Sequence, residues 1–141
     1  MIPAQATKFV SITPPAAIID NASATTASVD TKGYDYAVIT VYFGAMDIAV
    51  TAMKLQESDD DSTYADITGA TFAGGYPSAT SDNTAWKFYV DLRGRKRYLD
   101  LVLTLGDGAA GTYVAAFAEL SRAENAPYDI TTRGLGGQVI V

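Results

Sequence analysis

The sequence predicts an all-β domain, a two-sheet antiparallel β-sandwich or a barrel of about eight short strands with extended terminal arms. Three observations lead there. Apolar and polar residues alternate with period two along most of the chain, and clusters of Gly, Pro, Asn and Asp interrupt the alternation at short intervals. Helical periodicity and a βαβ rhythm are both missing. With 141 residues, of which 48% are hydrophobic and 18% charged, the chain is long enough for one core and too short for two.

The first elements are short. Segments 9–13, 17–20 and 25–30 read as strands separated by Pro14-Pro15 and by the small polar run at 21–26. YAVITVYF at 36–43 is rich in β-branched and aromatic residues and reads as a central strand buried on both faces. Met53 and Leu55 then alternate with Lys54 and Gln56, and SDDDST at 58–63 ends that strand in a turn whose Asp side chains bond local amides.

The two clearest strands follow. Trp86, Phe88, Val90 and Leu92 alternate with Lys87, Tyr89, Asp91 and Arg93, and Leu99, Leu101, Leu103 and Leu105 alternate with Tyr98, Asp100, Val102 and Thr104. Trp86, Phe88, Val90, Leu99, Leu101 and Leu103 are therefore expected in the core. YVAAFAEL at 113–120 has alanines that suit a helix, but its β-forming start and its short length favour a strand. Residues 122–141 carry glycines and a proline, with strongly apolar character only at Val139, Ile140 and Val141. This divides the chain into a sandwich domain, 1–121, and an extended C-terminal arm, 122–141.

Composition excludes several chemistries. Without His or Cys there is no Ser-His or Cys-His nucleophile, no disulfide and no usual zinc set. A net charge of −6 opposes nonspecific nucleic-acid binding. No apolar run approaches the roughly 20 residues of a membrane span, and MIPAQATKFV lacks the regions of a secretory signal, so a soluble, unexported protein is expected.

Four motifs remain. Gly106 to Gly111 spells G-x-G-x-x-G, but a strand follows where a dinucleotide site needs a helix N-terminus, so a glycine-rich loop is the better reading. Asp59, Asp60 and Asp61 lack the spacing of a calcium loop and read as a solvated hairpin tip. Arg93, Arg95, Lys96 and Arg97 form a basic knot around Gly94. Its readings, in order, are a solvated turn, a protein contact through Arg forks, and a nucleic-acid contact. Nine tyrosines suit strands and protein interfaces alike.

The succession KLQESDDDSTYADITGA, a glycine-containing loop, WKFYVDLRGRKRYLDLVLTL and TYVAAFAELSRAENAPYD resembles the small capsid cement and decoration proteins of tailed bacteriophages, over roughly residues 50–130. The resemblance implies a jelly-roll sandwich without enzymatic activity or cofactor. It implies a homodimer, soluble in the host cytoplasm before assembly, that then binds the major capsid protein on the outside of the virion and braces the shell. On that basis Arg93, Arg95, Lys96, Arg97, Val139, Ile140 and Val141 are the expected contacts with the capsid or a second subunit. The principal rival is a carbohydrate- or receptor-binding module of a phage tail protein, which an exposed Trp86 or a tyrosine-lined groove would favour. A hydrolase would need two carboxylates converging in a cleft.

Overall fold

The computed structural model describes residues 6–16, 18–20, 23–109, 111–124 and 129–139. Its strands are β1 (Lys8–Thr13), β2 (Val29–Asp30), β3 (Tyr34–Met46), β4 (Ala52–Ser58), β5 (Ala65–Thr71), β6 (Ala85–Asp91), β7 (Tyr98–Thr104) and β8 (Thr112–Ala123). They pair as a nested ribbon: β1 with β8, β2 with β7, β3 with β6 and β4 with β5, all antiparallel. Two further antiparallel contacts, β8 with β3 and β7 with β4, roll the ribbon into sheets of order β1-β8-β3-β6 and β2-β7-β4-β5. This is a two-sheet, eight-stranded sandwich with the winding of a jelly roll.

Alternation dictates what lies between the sheets. From the first sheet Ile39, Val41 and Phe43 of β3 and Val114, Ala116, Ala118 and Leu120 of β8 face inward, and Met53, Leu55, Leu99, Leu101 and Leu103 of β4 and β7 meet them. Ala116 and Ala118 belong to a strand hydrogen-bonded on both edges, so the tertiary pairing overrides their helical preference. Phe88 is buried, whereas Trp86 and Val90 are only partly buried against the core. Their strand is the open edge of its sheet, so inward phase does not bring full depth. On β3, burial on both faces holds at Thr40 but fails at Tyr42, which is exposed.

Three other expectations change. Of segment 17–20, the described residues 18–20 contribute only an isolated bridge between Ile19 and Thr112, and 25–30 is strand only at Val29–Asp30. β5, not anticipated, completes the second sheet as an exposed edge strand. At the other end β8 continues to Ala123, past the boundary expected at 121, and residues 129–135 turn back onto β1. There the Phe9 amide donates to the Arg133 carbonyl at 2.7 Å, and Arg133, 5% exposed, donates through Nε to the Thr7 carbonyl at 2.8 Å. Among the described residues no helix is long and apolar enough to cross a membrane.

Candidate functional site

The basic knot is the turn that carries the chain from β6 in one sheet to β7 in the other, made possible by Gly94 at φ 84°. Every cation in it meets a carboxylate of the same chain. The Arg93 fork grips Asp91 through Nε at 2.9 Å and Nη2 at 2.7 Å, and that of Arg97 grips Asp30 at 2.8 and 2.7 Å. Arg95 lies 3.5 Å from Glu57 and Lys96 lies 3.6 Å from Asp59, looser contacts to the end of β4 and the hairpin beyond it. Arg93 and Arg122 stack over the Tyr36 ring, and Arg97 over Tyr98. The Arg93 guanidinium holds the Asp91 carboxyl down to about 2, and Arg97 lowers that of Asp30. The turn's charge is thus balanced locally, by partners drawn from both sheets.

The other sequence motifs are absorbed by local structure. Asp60 accepts hydrogen bonds from the Thr63 amide, the Ser58 hydroxyl and the Ser62 amide, which lower its carboxyl and hold the hairpin tip in shape. Tyr64 donates to Asp61, and burial followed by that bond pushes its phenol up to about 12. Among the described residues no three acidic side chains form a group able to hold a metal ion. The glycine-rich loop leads straight into β8, so it offers no helix N-terminus to a pyrophosphate. Val139 is 89% exposed, while Ile140 and Val141 lie outside the described residues.

The two outer faces of the sandwich differ in chemistry. On the β2-β7-β4-β5 side the outward residues are mostly polar, Val102 and Tyr98 apart, and several bond to one another: Lys54 and Gln56 each donate to Asp66 at 2.7 Å, and Thr26 donates to Asp100 at 3.1 Å. On the β1-β8-β3-β6 side they are largely aromatic and aliphatic. Reading across that sheet by register, Ser121, Tyr36 and Asp91 form one row, and Phe9, Glu119, Val38 and Tyr89 the next. Below them lie Ser11, Phe117, Thr40 and Lys87, then Ala115, Tyr42 and Ala85. Tyr113 extends the face beyond, against Gly44, where a Cβ would come within 3.2 Å of the tyrosine Cβ.

Tyr89 is 77% exposed, Tyr113 47% and Tyr42 46%, and Phe9 and Phe117 stack beside them with ring centroids 5.2 Å apart. Sequence reasoning noted the tyrosines without joining them into a face. Their phase opposite Ile39, Val41, Phe88 and Val114 was the available clue.

Trp86 is engaged elsewhere. Its ring meets Phe72 edge-on at 5.2 Å and its Nε1 donates to Thr84 at 3.0 Å. Comparison of the chain with protein-family models and with characterised proteins gave no match.

Proposed function

We propose that the chain is a virion structural protein, a capsid cement or decoration protein that binds the outer surface of the assembled major capsid protein as a homodimer and stabilises the shell. The observation that carries the reading is the unequal pair of outer faces: one sheet presents a broad exposed aromatic surface of the kind that protein interfaces use. The jelly-roll order agrees with the fold that the resemblance to phage cement proteins implies. Trp86, half-buried and held by Phe72 and Thr84, weighs against the carbohydrate-binding alternative, whereas Tyr36 and Tyr89, which line a shallow hollow on the aromatic face, weigh for it.

The basic turn is the proposed capsid contact. Arg95 and Lys96 have the two longest ion pairs of the turn, at 3.5 and 3.6 Å, so carboxylates of a shell protein compete for them most readily. The test is to find the chain by mass spectrometry in gradient-purified particles and to label it there with antibody from outside. Absence from particles, or presence only inside them, refutes the reading. Arg95→Glu with Lys96→Glu leaves the fold intact, since exposed ion pairs add little to stability, and weakens rebinding to stripped shells. Rebinding unchanged across a range of salt removes the turn from the contact.

A further inference from the structure

We infer that the outer face of the β1-β8-β3-β6 sheet is the surface on which two copies of this chain pack, with a twofold axis running along β3. The inference deepens the homodimer part of the proposed function and rests on it. It names the surface and the geometry.

Size supports a second copy as the occupant. Four strands about 4.8 Å apart, and rows covering roughly 30 Å of strand, give a footprint near 600 Å² per copy. The two copies together then bury about 1,200 Å², above the roughly 1,000 Å² a specific interface needs, before side-chain relief is added. Rigid tyrosines at such a surface bury area at little entropic cost.

Charge selects the axis. Within the face Lys87 lies on β6 and Glu119 on β8, one on each side of β3, and neither has an ion-pair partner among the described residues. Asp91, at the rim, is already held by Arg93.

A twofold axis along the strands brings β6 of one copy over β8 of the other. Tyr89 then stands opposite the partner's Glu119, because both occupy the row of Val38. Lys87 stands one row along, about 6.8 Å away and within reach of a lysine side chain. The pairing is made twice by symmetry. An axis across the strands instead sets Lys87 beside its own copy and Glu119 beside its own, which like charges oppose. Either axis keeps the strands of the two sheets aligned, the common face-to-face arrangement, so the charges alone decide between them.

The test is sedimentation velocity on the full chain, with circular dichroism as the check on folding. The wild type sediments as a dimer at roughly 10 µM, and Lys87→Glu and Glu119→Lys each weaken the dimer about tenfold or more, whereas the double reversal restores it. Val38→Arg, at the centre of the face, abolishes the dimer while the monomer stays folded.

A wild-type chain that remains monomeric to roughly 100 µM overturns the inference and leaves the face to the shell or to another ligand. A dimer indifferent to all three single substitutions overturns it too, by placing the contact elsewhere. Single reversals that weaken the dimer without mutual rescue overturn the proposed axis. Particle binding is read separately, so a solution dimer that never appears on particles refutes the cement reading alone.

Discussion

Gly134→Ala tests whether the C-terminal segment belongs to the sandwich. Gly134 has φ +73°, and a Cβ there would lie 2.1 Å from the Phe9 carbonyl oxygen. Alanine in that conformation costs roughly 1–2 kcal/mol before any clash. The clash is relieved only by parting the segment from β1 by about 1 Å, which stretches the 2.7 Å bond from the Phe9 amide to the Arg133 carbonyl beyond hydrogen-bonding range.

What is lost is bounded by what docking supplies. The Phe9 bond is worth about 1 kcal/mol and the Arg133 bond to the Thr7 carbonyl about 2, while release returns chain entropy. A net loss of about 1–2 kcal/mol lowers Tm by roughly 3–8 °C in a domain of this size. Hydrogen exchange locates the effect: the Phe9 amide should exchange about tenfold faster or more, with protection in β3 and β7 retained. Gly136→Ala is the control, since its Cβ meets nothing within 4 Å. If Gly134→Ala matches the wild type in both Tm and Phe9 exchange, the docking of residues 129–135 on β1 is refuted.

Phe43→Ala, deep between the sheets, should cost about 3–5 kcal/mol in urea unfolding, and a loss below about 1 would contradict its burial. Thr112→Val should stabilise the protein by about 1 kcal/mol, because the buried Thr112 hydroxyl has no hydrogen-bond partner among the described residues and a methyl avoids that cost; a loss of similar size would reveal a hidden partner. Acid should destabilise the fold in a defined window. The Asp91 carboxyl, lowered from 3.8 to about 2 by Arg93, favours the folded state fully above about pH 4, and that contribution is lost as pH falls through about 2. Thermal melts against pH should show the decline, and Asp91→Asn should remove its share of the slope.

Strands whose two faces meet different surroundings were legible in the sequence. β7 alternates leucines with polar residues because one face meets the core and the other the solvent. β5 escaped because an exposed edge strand containing Gly69 has little to alternate, while the apolar pair Ile18 and Ile19 reads as part of a strand and supplies only an isolated bridge. In the turn, Asp91 was visible beside Arg93. Asp30, Glu57 and Asp59 arrive from other elements, and Asp100, a neighbour in sequence, bonds Thr26 instead. The aromatic face was hidden for the same reason. Tyr89, Val38 and Glu119 become a row only through pairings between distant stretches of chain.

The nested pairing also sets a schedule for folding. Glu57 meets Ala65 across a short hairpin, whereas Tyr42 meets Ala85, Asp30 meets Tyr98 and Thr13 meets Ala116 across successively longer spans. Closing a long loop first costs the most chain entropy, and each inner pairing shortens the loop left for the next. The β4–β5 hairpin is therefore the natural nucleus and the seam between β1 and β8 the last to close. Pulse-labelled exchange should show β4 protected before β1, and simultaneous protection would refute the order. A chain still being synthesised lacks β8 until the other seven strands have emerged, so the seam waits for the last strand while the hairpin does not.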